Sequence, residues 1–541
     1  MNRYLFYSLL AAGVVARLVM LGNYELVNGG EVDVYLADEG VVGLMGKHIL
    51  EGSELPLFFY GQHYLGALEA YCVALSFAVF GVDLFGLRLV PLLFSLALLA
   101  VVYRFAYKAY SVAAARWTVA LLAVAPVYFL QWNLKARGGF VEHVVLLFVV
   151  MVLFWRVFLY HERAPARTFA LGLAAGVALW VNQLMLAYVI VMVVLLAMQA
   201  SDRRGWAMIL AGGLLGASLL IGYNVVHPLA TARSLARKAV VLNRVPIEQR
   251  DESWLLRGVG KRAEALSQGA GKLGLVFGVP PGSGIERLGL DAATREGSRL
   301  TTARRFLWFV PAAFFLTALF ACRPRRGVVG WDPFGTDQLL GLLALVTFAV
   351  GYVSPRYMLP AYPMAAVMAG ALMARLGGRS RGLMAAGFAS VLVFNLASWA
   401  DAMQGLGREQ RGGDELIAFL EERGISHCYS AGPLYHLVFA SGERVVLAPL
   451  QKDRYPAYNR EVEAADSICY VFRDDQTAKR QHVAMMTFLT DRGVTFGREA
   501  VGGYNVLYGF SPREALTGEA LRAIRSQEKA RIGLGTAGTS R

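Results

Sequence analysis

The sequence predicts a polytopic α-helical membrane protein that carries a small extramembrane α/β domain near its C-terminal end. Its 541 residues are 56% hydrophobic and only 17% charged, whereas about a quarter of the residues in a soluble domain are charged. The mean hydropathy is +0.46. Many apolar runs are long enough to cross the ~30 Å hydrocarbon layer of a bilayer as helices. After residue 400 these runs give way to short, alternating helix and strand patterns.

About eleven apolar runs are predicted to be transmembrane helices. No small-residue cleavage site follows the first run, so we expect a retained helix rather than a signal peptide. A further run, 64–80, contains Glu69 and is predicted to lie in the outer interface or to re-enter the membrane. The predicted spans are 4–22, 86–106, 113–131, 141–159, 167–181, 183–199, 206–225, 305–322, 338–353, 357–374 and 383–400.

The distribution of basic residues predicts the orientation in the membrane. With a cytoplasmic N-terminus, the short inner loops hold thirteen Lys and Arg residues, and the outer segments 132–140 and 354–356 hold three. If 64–80 crossed the membrane, this positive-inside distribution would be inverted. We therefore expect a membrane protein whose C-terminal domain lies on the outer side of the membrane. The net charge of +14 then acts as a topology signal, which predicts membrane lipids and no nucleic acid as partners.

The chain divides into three predicted regions. Residues 1–400 form the transmembrane region, 401–510 the periplasmic α/β domain and 511–541 a flexible polar tail. The transmembrane region carries two large outer loops, 23–85 and the amphipathic 226–304. Two cysteines, Cys428 and Cys469, fall on predicted strands of the α/β domain; a disulfide and a pair of buried thiols both remain open. The cysteine spacing indicates no zinc site.

The first outer loop is rich in ionisable residues, which are costly beside a membrane and therefore candidates for function. Residues 37–50 have the periodicity of an amphipathic helix, with Asp38 and Glu39 at or near its first turn. Acidic residues at this position also stabilise a helix by capping it and by interacting with its dipole. Spacing alone does not separate these two interpretations.

The order of features after the first helix resembles the GT-C superfamily of integral-membrane glycosyltransferases, in particular protein O-mannosyltransferases, lipid A aminoarabinose transferases and their bacterial relatives. The resemblance covers the first ~150 residues well and the later spans loosely. It consists of an Asp-Glu pair that opens a helix, a Pro-containing juxtamembrane stretch, an Arg that enters the second span and a late Arg-Tyr segment. In this chain these are LADEG, PLFFYGQHYLGALEAYCVALSFAVFG, FGLRLVPLLFSLAL and SPRYMLPAYP.

The resemblance implies transfer of a sugar from a polyprenyl-phosphate carrier to an acceptor on the periplasmic face, with inversion at the anomeric carbon. It assigns Asp38 as the general base and Glu39 as its partner. It also places Arg88, Arg356 and Tyr357 at the donor phosphate, where negative charge develops. An alternative for both arginines is snorkelling of the charged group to the membrane interface. The acceptor (protein, lipid A or glycan) is left open.

Two further segments are candidates for the same site. In NLKARGGFVEH, Arg137 is a candidate phosphate ligand, and Glu142 takes the place of an acidic residue that relatives carry in this loop. The adjacent glycines would cradle a phosphate or form a simple tight turn. In the Pro-containing stretch, Tyr60, Gln62 and His63 are expected to line the donor or acceptor pocket. A divalent cation is possible as a cofactor in this superfamily, but the residues identify no metal ligands.

Two rival interpretations remain at this stage. A non-catalytic translocator of lipid-linked sugar or solute would place its ionisable residues near the bilayer midplane, commonly within repeated halves. Here they gather in outer loops, and the sequence shows no repeat. A ligase-like or polymerase-like enzyme would use a different large outer loop, and 226–304 keeps that possibility open. The early Asp-Glu pair favours the transferase over both.

Overall fold

The computed structural model describes residues 2–22, 36–199, 203–235, 273, 276–277, 335–351, 354–403, 409–450, 453–473 and 476–511. The predicted span 305–322, most of the loop 226–304 and the tail beyond Ser511 lie outside the described residues. Up to residue 235 the described helices are α1 Arg3–Gly22, α2 Leu36–Glu51, α3 Leu68–Phe80, α4 Leu84–Ala109, α5 Val112–Ala123, α6 Val127–Leu134, α7 Phe140–Phe158, α8 Pro165–Val181, α9 Met185–Gln199, α10 Arg203–Gly216 and α11 Ser218–Val226. A short hairpin of strands β1 (Phe58–Phe59) and β2 (Gln62–Gly66) connects α2 to α3.

The later helices and strands complete the membrane region and form the C-terminal domain. The helices are α12 Thr336–Gly351, a 3₁₀ turn at Pro355–Met358, α13 Ala361–Arg375, α14 Gly378–Met403, α15 Glu409–Glu422, α16 Tyr435–Ala440, α17 Pro456–Ala464 and α18 Gln476–Asp491. The strands are β3 His427–Ser430, β4 Val446–Pro449, β5 Cys469–Arg473, β6 Thr495–Val501 and β7 Tyr504–Ser511.

Several of the described helices have the length and apolarity of transmembrane spans. Four qualify alone, and two bent helix pairs bring the number to as many as six. The 13-residue α3, within the run expected not to cross, is too short to span the hydrocarbon layer at 1.5 Å per residue. The count of about eleven spans stays a prediction, because the shorter apolar helices α8, α9 and α12 fall below this length. The four spans are Leu84–Ala109, Phe140–Phe158, Pro355–Arg375 and Gly382–Trp399.

Two predicted spans are wrong as single straight helices. The run 113–131 divides into α5 and α6, which meet at 83°, and the run 206–225 divides into α10 and α11, which meet at 62°. Pro126 lies at the start of α6; its missing N–H and its ring disfavour a continuous helix at this point.

The bend between α5 and α6 leaves five consecutive carbonyl groups without helical partners, and side chains from three other helices bind them. A free carbonyl in this apolar interior would cost about 1–3 kcal/mol. The Arg17 guanidinium donates to two of these oxygens and is itself only 1% exposed. The donor–acceptor pairs are Tyr362 Oη to Leu121 O at 3.0 Å, Arg17 to Leu122 O at 2.9 Å and to Ala123 O at 2.8 Å, Asn395 Nδ2 to Val124 O at 2.7 Å and Trp399 Nε1 to Ala125 O at 2.8 Å.

The C-terminal domain is built on a five-stranded mixed sheet in the order β4-β3-β5-β7-β6. The strands β3, β4 and β5 are parallel, as their helical crossovers require, and β7 pairs antiparallel with both β5 and β6. Cys428 and Cys469 are directly opposite each other on β3 and β5 and form a disulfide. This answers the question that the sequence left open. The strands predicted at Cys428 and Cys469 are present as β3 and β5.

The helix α2 shares one hydrophobic core with the C-terminal domain. Val41, Leu44 and Met45 of α2 are buried in the same cluster as Tyr435, Val438 and other residues of the sheet and its crossovers. Two glycines bring the backbones together: a Cβ at Gly40 would lie 2.3 Å from the His436 backbone nitrogen, and one at Gly43 would lie 2.7 Å from the Phe439 ring. The C-terminal domain is therefore packed directly on the outer-loop helix that carries the Asp-Glu pair.

Candidate active site

The Asp-Glu pair lies in the first turn of α2, as the sequence predicts. Consecutive residues point about 100° apart around a helix, so the two carboxylates face different neighbours. Glu39 is 1% exposed and points into the protein, whereas the Asp38 side chain is 20% exposed and faces the C-terminal domain. The two acids therefore occupy different environments and are not equivalent.

Glu39 forms a buried, two-pronged ion pair with Arg88 of α4. Arg88 Nε donates to one Glu39 oxygen at 2.9 Å and Nη2 donates to the other at 3.1 Å. Burial alone would raise the pKa of Glu39, but Arg88, together with the charges of Lys135 and Arg137, holds this pKa below its usual value. The family resemblance assigns Arg88 to the donor phosphate. In this structure Arg88 Nε and Nη2 bind Glu39, and the phosphate role stays a prediction.

Arg137 and Arg356, predicted as phosphate ligands from distant parts of the sequence, converge on Trp132. The guanidinium carbon of Arg137 lies 4.1 Å from the ring centroid, and that of Arg356 lies 5.9 Å from it. Arg356 also donates from Nη2 to the Tyr357 hydroxyl at 3.2 Å and lies 5.7 Å from the centroid of Phe140. Two cations held against aromatic faces form a positively charged patch suited to an anion.

The glycines after Arg137 bind a carboxylate of the protein itself. Glu69 Oε2 accepts hydrogen bonds from the backbone N–H groups of Arg137, Gly138 and Gly139 at 3.1, 2.6 and 3.2 Å. Gly138 and Gly139 have φ values of +76° and +90°, which glycine adopts without strain, and a Cβ at Gly138 would lie 2.7 Å from the Phe59 ring. This turn therefore cradles Glu69 at a site where the sequence allowed a phosphate.

Glu142 lies in the first turn of α7 and is fully buried beside Glu69. It does not join a set of metal ligands: within the described residues no three His, Cys, Asp or Glu side chains are grouped to hold a metal ion. One oxygen of Glu69 is already bound by three backbone amides. Among the described residues, these side chains therefore offer no set of ligands for a divalent cation.

The hairpin between α2 and α3 carries Tyr60, Gln62 and His63, and it points them in different directions. The Tyr60 hydroxyl donates to Glu54 at 2.7 Å and lies 2.9 Å from His48 Nδ1. With its amide oriented to satisfy both neighbours, Gln62 accepts from Arg454 and donates to the Tyr64 hydroxyl.

The side chain of the next residue, His63, points toward α11. His63 Nδ1 lies 3.1 Å from the hydroxyl of Tyr223 in α11. Successive strand residues point to opposite faces. The Gln62 side chain therefore lies on the face of the hairpin nearer the Asp-Glu pair, and the His63 side chain lies on the other face.

The C-terminal domain contributes polar contacts that the sequence did not predict. Arg454 Nη2 donates to Asp38 Oδ1 at 3.3 Å. Glu443 pairs with Lys47 and lies 3.0 Å from His48 Nε2. These residues follow the outer loop by about 400 positions, and nothing in their local pattern connects them to it. Glu69, by contrast, had a usable signal, since a carboxylate within an apolar run requires a specific partner.

Solved membrane enzymes share this fold. ArnT from Cupriavidus metallidurans matches in its apo state (TM-score 0.54, 14% identity, 92% of this chain and 97% of ArnT covered) and bound to undecaprenyl phosphate (0.58, 13%, 95% and 99%). The apo oligosaccharyltransferase of Archaeoglobus fulgidus matches with a TM-score of 0.51 at 12% identity, over 94% of this chain and 74% of that one. The sequence itself matches no protein-family model and no curated protein.

Both similar proteins belong to the GT-C superfamily, and the resemblance found in the sequence is confirmed at the level of the fold. The structural matches establish a shared fold, and at identities of 12–14% the reaction is left to be argued from the residues.

Proposed function

We propose that this protein is a membrane glycosyltransferase that moves a sugar from a polyprenyl-phosphate donor to an acceptor at the outer face of a bacterial inner membrane. The observation that carries the proposal is a juxtaposition within a GT-C fold. An acidic pair opens α2, whose Ala37 is buried in one hydrophobic cluster with Ala136; the next residue, Arg137, lies with Arg356 against the Trp132 ring. A base and a cationic patch are the two requirements of sugar transfer from a phosphate leaving group.

In the proposed reaction, Asp38 takes a proton from the acceptor hydroxyl or amine as that atom attacks the anomeric carbon. The bond between the anomeric carbon and the phosphate oxygen breaks, and the polyprenyl phosphate leaves with the electron pair. Arg137 and Arg356 stabilise the negative charge on that phosphate. A single displacement of this kind inverts the anomeric configuration. Glu39 and Arg88 remain paired and hold the first turn of α2 against α4.

The test is sugar transfer by the purified full-length protein in lipid nanodiscs. Radiolabelled polyprenyl-phosphate sugars are offered with a cell-envelope extract as acceptor. We expect Asp38→Asn to lower the transfer rate by about 10²–10⁴-fold, the usual contribution of a general base. The matched control is Asp491→Asn, which removes an exposed acid from the far end of the C-terminal domain and should leave the rate unchanged.

Reconstitution of the protein in liposomes separates the proposed transferase from a translocator. If no donor loses its label to an acceptor while intact lipid-linked sugar crosses the liposome bilayer, the protein is a translocator and the proposal fails. Where transfer occurs, the anomeric configuration of the product, determined by NMR, checks inversion. Retention of configuration would contradict the single-displacement mechanism.

A further inference from the structure

Arg454 is the residue of the C-terminal domain that reaches the Asp-Glu pair. Its Nη2 donates to Asp38 Oδ1 at 3.3 Å, and the two side chains are 27% and 20% exposed. The contact engages Oδ1 and, within the described part of the chain, leaves Oδ2 for the proton of an acceptor. A charge-assisted hydrogen bond of this kind fixes the orientation of the carboxylate.

The backbone around Arg454 is held by a network that directs the side chain toward α2. The backbone N–H groups of Arg454 and Tyr455 donate to the Tyr435 hydroxyl at 2.7 and 3.3 Å. That hydroxyl in turn donates to Asp453 at 3.1 Å, and Asp453 also accepts from Asn459 at 2.8 Å. A guanidinium on such a support needs little further ordering to keep Asp38 in place.

The hairpin closes on Arg454 from the opposite side. The absence of a side chain at Gly61 makes room for the Arg454 backbone, since a Cβ there would lie 3.2 Å from the Arg454 Cα. Gln62 accepts from the guanidinium, and the Phe59 ring centroid lies 5.8 Å from the guanidinium carbon. Arg454 is thus shared between Asp38 and the hairpin, at the junction of the outer loop and the C-terminal domain.

We propose that Arg454 is a positioning residue for Asp38, and that the C-terminal domain thereby completes the active site of the membrane region. This inference rests on the proposed transferase function. It assigns a catalytic purpose to the packing of the domain on α2: the packing brings a cation to the base. A domain that only recruited the acceptor would not need to contact Asp38.

The experiment compares Arg454→Gln and Arg454→Lys with wild-type protein in the nanodisc transfer assay. We expect Arg454→Gln to lower kcat roughly 10- to 100-fold, the effect of losing one charge-assisted hydrogen bond, with the KM for the donor lipid unchanged. Arg454→Lys should recover much of that loss because it keeps the charge. The control is Arg444→Gln, which breaks an exposed ion pair with Glu421 inside the same domain and should leave kcat unchanged.

The readouts separate positioning from mere support of the fold. If Arg454 only held the domain in place, Arg454→Gln would lower the unfolding temperature and Arg454→Lys would not restore kcat; that result overturns the inference. Wild-type kcat in Arg454→Gln also overturns it. A wild-type protein that transfers no sugar from any donor is a different result, because it removes the proposed function itself and the inference with it.

Discussion

At the scale of single residues, the buried ion pair of Glu39 and Arg88 combines a strong electrostatic attraction with a large cost of desolvation. Both side chains are at most 2% exposed, and Arg88 donates two hydrogen bonds to Glu39. Removing two charges from water costs several kcal/mol each, and close pairing offsets that cost. The pair therefore matters less for its net stability than for what happens when one partner is lost.

We expect Arg88→Gln to destabilise the protein by about 3–5 kcal/mol, because it leaves Glu39 as an unpaired buried charge. The double variant Glu39→Gln with Arg88→Gln should recover a large part of this loss. Thermal unfolding of the detergent-solubilised protein measures both. If Arg88→Gln instead kept the wild-type unfolding temperature and lost only affinity for the donor lipid, Arg88 would be the phosphate ligand that the family resemblance implies.

The sequence identified the acids at the start of α2 but not their partners. An Asp-Glu pair at the beginning of an amphipathic run is a local pattern, and the structure has it in the first helical turn. The partner of Glu39 is 49 residues away and that of Asp38 is 416 residues away. No periodicity extends over such distances; the family resemblance assigned Arg88 to the donor phosphate and not to Glu39, and nothing suggested Arg454.

At the scale of secondary-structure elements, the bend between α5 and α6 depends on Arg17. Its guanidinium donates to the carbonyls of Gly13, Leu122 and Ala123 and to the Ser95 hydroxyl. It therefore caps the open end of α5, where a cation also interacts favourably with the helix dipole. Pro126 indicates the bend itself, although it lies inside a continuous apolar run.

We expect Arg17→Ala to lower stability by about 2–5 kcal/mol, since it leaves two carbonyl groups without donors in an apolar interior. The loss should appear as a lower unfolding temperature of the purified protein. Arg3→Ala, at the exposed start of the same helix, provides the control and should change little. Equal effects of the two substitutions would show that the capping contacts contribute nothing.

Glu443 forms a second contact between elements, linking α2 to the C-terminal domain. Its backbone φ of +67° is unfavourable for a residue other than glycine by about 1–2 kcal/mol, and contacts with Lys47, His48 and Tyr458 offset that strain. Burial alone would raise the pKa of Glu443, but hydrogen bonds from His48, Lys47 and Tyr458 lower it to about 2.

Because this pKa is lowered on folding, the contribution of Glu443 to stability is complete above about pH 4.3, the unfolded value. It is lost progressively as the pH falls toward 2. We expect Glu443→Gln to be less stable than wild type at pH 6, and the difference to shrink as the pH falls below about 4. Unfolding temperatures measured from pH 6 to pH 3 check this. A difference that stays constant over this range would contradict the assigned ionisation.

At the scale of the whole molecule, the C-terminal domain and the outer loop form one body through close backbone contact. At Gly40 and Gly43 the surface of α2 is flat enough for the chain around His436 and Phe439 to lie against it. The sequence predicted the domain from its strand patterns and left its role open. Its placement could not be predicted, because a glycine on a helix face does not indicate which of many surfaces it contacts.

We expect Gly40→Ala to separate the domain from α2, since the added Cβ would lie 2.3 Å from a backbone nitrogen that cannot move alone. Hydrogen exchange of α2 amides should become faster, and sugar transfer should fall together with it. Gly432→Ala adds a methyl group where nothing lies within 4 Å and serves as the control. Unchanged exchange in Gly40→Ala would argue against close packing between the two.

The contact between Asp38 and Arg454 also governs when the site is assembled during biosynthesis. The two residues are 416 positions apart, so at about 5–20 residues per second the ribosome adds Arg454 roughly 20–80 s after Asp38. During that interval the nascent outer loop has emerged without its C-terminal cation. A chain released before the last hundred residues would insert its spans, yet it would carry an acidic pair with an incomplete environment. Truncated products of this length would therefore lack the cation that Arg454 brings to Asp38.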